Sequence, residues 1–171
     1  RRQRQMCIRD RSVGRVAYET FPLTAENDFL PDLDAIPEET ARRAKFIYIN
    51  YPNNPTGAVA TKAFYEKLVA WAKTYEVGVV SDLAYGALGY QGYENPSFLS
   101  TPGAKDVGIE FYTFSKTFNM AGWRLAFAAG NDQMIEALNL IQDHLFVGIF
   151  PALQEAGTVS YTHLRAHETE L

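Results

Sequence analysis

Two hydrophobic rhythms divide the chain. Residues 45–51, KFIYINY, form an unbroken apolar and aromatic run that stops at the turn-rich cluster PNNPTG (52–57). That pattern predicts a strand buried on both faces, followed by a loop. From 61 to 75 the rhythm changes. Phe64, Leu68, Trp71, Ala72 and Tyr75 recur at helical spacing, with Glu66, Lys67 and Lys73 elsewhere, which predicts an amphipathic helix. Short apolar runs return at 77–82 (VGVVSD), 109–115 (IEFYTFS) and 124–130 (RLAFAAG), predicting three more strands. A second helix is predicted over 132–148, capped by Asn131 or Asp132, with Met134, Ile135, Leu138, Ile141 and Leu145 on its apolar side. Strands alternating with helices imply an α/β fold with a mostly parallel sheet flanked by helices. Residues 19–39 are rich in acids and prolines and read as an irregular surface connection. No internal repeat or low-complexity segment is present.

Composition changes this picture at the ends. Residues 6–10, MCIRD, and 159–164, VSYTHL, are translations of the two strands of one transposase end sequence used in preparing sequencing libraries. The flanking RRQRQ and RAHET fit the adapter arms in the same frames. Residues 1–11 and 159–171 are therefore expected to be adapter-derived, leaving 12–158 as part of one domain. The sole cysteine, Cys7, and two of the three histidines, His163 and His167, fall in those ends, so no metal site is expected. Setting the ends aside removes six of 16 basic and three of 20 acidic residues, so the net charge becomes −7 in place of −4. Such a balance argues against nucleic acid as a partner. No apolar run reaches the length of a membrane span.

Ligands of open α/β sheets gather beyond the carboxyl ends of the strands. Asn54, Asp82 and Lys116 fall at three successive ends, with Tyr85 three residues after Asp82 and Arg124 eight after Lys116. Singly, each has a plain explanation. Asn before Pro is ordinarily a turn former, Asp at a strand end ordinarily caps a helix, and a lone Lys is ordinarily solvated. It is the set that points to a site. Trp71 and Phe64 are read as helix core, Trp123 and Phe118 as packing for the loop around the lysine, and His144 as structural or partner-facing.

NNPTG, SDLAYGAL and TFSKTFNMAGWRLAF, in this order and spacing, resemble the three core signatures of class I/II aminotransferases, fold-type-I enzymes that use pyridoxal 5'-phosphate. INYPNNPTGAVA, NMAGWR and QDHLFVG resemble bacterial LL-diaminopimelate aminotransferase-like proteins, and also the methionine-salvage aminotransferase. The resemblance implies the central part of the cofactor-binding large domain. It implies that Lys116 bonds covalently to the cofactor aldehyde and then shuttles a proton as a neutral amine. Asp82 would face the pyridine nitrogen. Asn54 and Tyr85 would hydrogen-bond the ring oxygen. Arg124 would grip the phosphate as a forked donor, helped by the hydroxyls of Thr113 and Ser115. Thr113 departs from the family's usual Ser or Gly and adds a methyl group in a tight place. The resemblance also implies a cis bond before Pro55.

On this reading the substrates are an amino acid and a 2-oxo acid, and the complete protein is a cytoplasmic homodimer. The glycine-rich phosphate loop, the ring-stacking aromatic and the arginine for the substrate carboxylate would lie outside residues 12–158. The piece alone is expected to be inactive and to expose an apolar sheet face. Three other readings share parts of the pattern. A pyridoxal-phosphate C–S lyase would differ only in substrate-side residues. A transcription regulator with an aminotransferase-like ligand domain would carry a DNA-binding segment upstream. A nucleotide-binding Rossmann domain would need a G-x-G-x-x-G, and the sequence has none.

Overall fold

A computed structural model describes residues 17–167, with side chains through residue 163. The expectation for residues 1–11 lies outside the described residues. The chain divides after Pro31 into two compact units. In the first, a 3-10 turn over Ala25–Asn27 is closed by Asp28 in the left-handed conformation. Asn27 Nδ2 donates to Leu30 O at 2.8 Å. Prolines and acids predict such an irregular connection over 19–39, although a helix already begins at Glu38.

The second unit is built on a four-stranded sheet in the order β1-β2-β3-β4. The strands are β1 Phe46–Asn50, β2 Gly78–Asp82, β3 Gly108–Thr113 and β4 Ala126–Gly130. The first three run parallel, with Asn50 opposite Asp82 and Asp82 opposite Phe111. β4 returns antiparallel, with Thr113 opposite Ala126. The helices are α1 Glu38–Arg43, α2 Lys62–Tyr75, α3 Ala104–Val107, α4 Phe114–Thr117, α5 Asp132–Leu145 and α6 Pro151–His167.

α2 forms where its apolar period predicts. Thr61 caps it, its side chain accepting from Phe64 N–H. Glu76 ends it in the left-handed conformation. Its inner face buries Phe64, Tyr65, Leu68, Val69 and Ala72. Phe64 meets Tyr51 edge-on at 5.9 Å between ring centres, and Tyr65 meets Phe98 at 5.8 Å. A fully buried leucine such as Leu68 contributes about 1.5–3 kcal/mol through apolar burial. Trp71 departs from the core reading. It is half-buried and packs on Tyr75, ring centres 5.3 Å apart.

Three further expectations are corrected. β1 is not buried on both faces. Ile47 and Ile49 point inward, while Phe46 and Tyr48 are 50% and 70% exposed, because the described residues cover only one side of that strand. α5 stops at Leu145 rather than 148, and no residue on it is buried. Asn131 is its cap, accepting from Met134 N–H. α6 was not predicted, because its second half lies in the stretch set aside as adapter-derived. It packs beside a small core of Phe114, Met120 and Leu125, to which Phe118, Ile149 and Ala156 add. Gly157 makes that approach possible, since a Cβ there would lie 2.5 Å from Leu125. Phe118 thus packs as expected, while Trp123 is 48% exposed. His144 is exposed on α5.

Candidate active site

The parallel strands deliver their carboxyl ends to one edge of the sheet, and the sequence-predicted residues follow directly from those ends. Asn50 closes β1 and spans to the next strand, its Nδ2 donating to Asp82 O at 2.9 Å. Its Oδ1 accepts from Asn54 N–H at 3.1 Å. Asn53 shapes the loop beyond. It bonds Asn50 O through Nδ2 (3.2 Å), and its Oδ1 accepts from the Thr56 hydroxyl (2.7 Å). The peptide bonds before Pro52 and Pro55 are both cis, the second as the resemblance implies. Gly57 accepts the loop's left-handed turn at φ 74°. This scaffold presents the side chain of Asn54, whose Nδ2 donates to Tyr85 Oη at 3.0 Å. Asn50 and Asn53 were missed by the sequence reading. The signal was the repeated asparagine in INYPNN.

Asp82 ends β2. Its carboxyl is open to solvent, yet the surrounding protein strips enough water to raise its pKa above the usual carboxylate value, against a smaller lowering by the backbone N–H of Ala84. Three residues on, Tyr85 brings its ring beneath Lys116, with Nζ 5.8 Å from the ring centre. Lys116 sits on the one-turn helix α4 that follows β3. Asn54, Tyr85 and Lys116, drawn from three strand ends, therefore meet in one place.

The residues that the resemblance assigns to a phosphate lie around α4 and just before β4. Thr113 caps α4, its hydroxyl accepting from Ser115 N–H (3.1 Å) and donating to Ser115 Oγ (3.0 Å). Phe114 N–H bonds Leu125 O at 3.1 Å, which brings the neighbouring Arg124 to the same edge. Arg124 is left-handed, at φ 54°, and its Nη1 donates to Ala121 O at 2.9 Å. Among the described residues no group of three His, Cys, Asp or Glu side chains is placed to hold a metal.

In this α/β domain an amine, a phenol and an amide meet beyond the strand ends, and an acid closes the neighbouring strand β2. The chain belongs to the class I and II aminotransferases, whose family model matches residues 6–166. It is 54% identical over 145 residues to L-glutamine–4-(methylsulfanyl)-2-oxobutanoate aminotransferase of Bacillus subtilis, a match covering 85% of this chain and 36% of that protein. It is 54% identical over 142 residues to LL-diaminopimelate aminotransferase of Moorella thermoacetica, covering 83% of this chain and 36% of that one. Among solved structures, substrate-bound BacF from Bacillus subtilis superposes with a TM-score of 0.87 at 46% identity, over 92% of this chain and 40% of that one. The chain thus spans little more than a third of the length of these curated relatives.

Proposed function

We propose that the complete protein is a pyridoxal-phosphate-dependent aminotransferase, moving an amino group from an amino acid to a 2-oxo acid. The observation that carries this is the meeting of Asn54, Tyr85 and Lys116 beyond the strand ends. The donor set fits the cofactor's chemistry. Asp82 is a partly desolvated carboxyl, suited to hold a proton shared with a ring nitrogen. Tyr85 and Asn54 are neutral donors for a ring oxygen. Arg124, with Thr113 and Ser115, supplies a forked cation and two hydroxyls for a phosphate. When bound, pyridoxal phosphate supplies an electron sink that acidifies the substrate α-carbon. Lys116 Nζ then moves the proton, held in place over the Tyr85 ring.

The named relatives act on a glutamine/4-(methylsulfanyl)-2-oxobutanoate pair and on LL-diaminopimelate. Side-chain choice between such substrates rests on residues beyond this chain. We further propose that the complete protein is a cytoplasmic homodimer, and that residues 1–11 and 159–171 are adapter-derived, 12–158 being the cofactor-domain segment. The test is to express the full reading frame with pyridoxal phosphate, reduce with borohydride and map the label by mass spectrometry. The expected result is one label at Lys116, lost in Lys116→Ala. A label on another lysine, or none, overturns the reading.

A further inference from the structure

We propose that Glu110 is a positioning residue that fixes Tyr85 from within the sheet. This rests on the reading above that Tyr85 holds the cofactor's ring oxygen. Glu110 lies in the middle of β3 with no solvent exposure. A carboxyl buried in a sheet persists only if its oxygens are satisfied, and four donors do so. Ser81 Oγ (2.9 Å) and Phe98 N–H (2.8 Å) reach Oε2. Ser97 Oγ (2.5 Å) and Tyr112 Oη (2.6 Å) reach Oε1.

The origin of these donors gives the arrangement its meaning. Ser81 immediately precedes Asp82. Ser97 and Phe98 stand at the far end of the segment that starts after Asp82 and carries Tyr85. One side chain therefore ties both ends of that segment together. Between them runs irregular chain with Gly86, Gly89 and Gly92 and no helix or strand before Phe98. Such a stretch has little intrinsic stiffness. Its middle is gathered by Asn95, whose Nδ2 donates to Gly86 O (3.0 Å) and Leu88 O (3.2 Å). With those ties in place, the Tyr85 phenol stays where Asn54 and Lys116 meet it.

The test uses the protein from its complete reading frame and compares Glu110→Leu, Glu110→Gln and Ser97→Ala. Leucine leaves the Phe98 N–H and three hydroxyls without their acceptor. Glutamine can keep all four contacts, because the Ser97 and Tyr112 hydroxyls can accept from its NH2 group. Hydrogen exchange without cofactor is expected to quicken about tenfold or more over residues 83–98 in Glu110→Leu, the cost of an unsatisfied buried group. Ser97→Ala should give a smaller rise over the same residues, and Glu110→Gln should restore wild-type exchange. The dissociation constant for pyridoxal phosphate should rise about tenfold in Glu110→Leu and stay within about twofold in Glu110→Gln.

Unchanged exchange over 83–98 in both Glu110→Leu and Ser97→Ala overturns the proposal. If Glu110→Leu does not fold, Ser97→Ala decides by the same criterion. Faster exchange without weaker cofactor binding also overturns it, since the tie would then be structural only. A wild-type protein that takes up no pyridoxal phosphate refutes the proposed function instead, and the exchange measurement still reads the tie.

Discussion

Tyr85 joins two relationships in one side chain: its hydroxyl accepts from Asn54, and its ring lies under Lys116. Tyr85→Phe keeps the second and removes the first. A neutral hydrogen bond is worth about 0.5–1.5 kcal/mol, so cofactor affinity should fall about three- to tenfold, with the borohydride label still at Lys116. Asp82 makes a prediction with a sign. Its folded-state pKa is raised, so its contribution to stability is present below the ordinary carboxyl value and is lost as pH rises through the raised value. Above that raised value the cofactor-free protein carries an ionised, partly desolvated group. Asp82→Asn should therefore raise its melting temperature on the alkaline side of that value, with the gain vanishing in acid. The same substitution should weaken cofactor binding at pH 7, a trade expected where a site is built at the cost of fold stability. The side chains proposed to face a ligand were legible in the sequence because their chemistry is unusual at strand ends. Asn50 and Asn53 were not, because their bonds go to backbone and neighbouring loop groups, and the repeated asparagine of INYPNN marks a turn without saying which groups it will tie. Glu110 stood in plain view inside IEFYTF, but an apolar run with one acid does not say which donors will surround it.

At the level of elements, α2 offers a direct comparison. Leu68 is fully buried, and Leu68→Ala should cost about 2–5 kcal/mol in denaturant unfolding. Tyr65, on the same face, buries a hydroxyl that has no hydrogen-bond partner among the described residues. Tyr65→Phe should therefore stabilise the protein by about 1 kcal/mol, the relief of an unsatisfied group. All four strands and both long helices before residue 150 could be read from hydrophobic period, with ends shifted by one to three residues. The failures have physical causes. A run that is apolar on both sides cannot reveal which side a neighbour covers, so β1 was assigned two buried faces. α5 has an apolar side by period, yet Leu140, Ile141 and Leu145 are more than half exposed.

Across the whole molecule, burial sets an alkaline limit. It pushes the Tyr51 phenol up to about 12. Tyr112, raised chiefly by burial and further by its bond to Glu110, also lies at about 12. Their pKa is near 10 in unfolded chain. The stability they confer is present below about pH 10 and is lost as pH rises through the folded values. Phenolate absorbance should therefore show a late, cooperative step that coincides with loss of circular dichroism. The 171-residue chain also leaves Leu145, Phe146, Val147 and Phe150 between 68% and 89% exposed. Sedimentation should find it self-associating, because an exposed apolar patch of this kind is removed from water by association. The return of β4 alongside β3 has one more consequence. Lys116 and Arg124 belong to a single excursion whose two feet are stitched together, from Phe114 to Leu125 and onward. The span between Lys116 and Arg124, the proposed covalent anchor and the proposed cationic clasp, is thus fixed by the length of one small loop, so adding or deleting a residue there would respace both grips while the rest of the sheet stood unchanged.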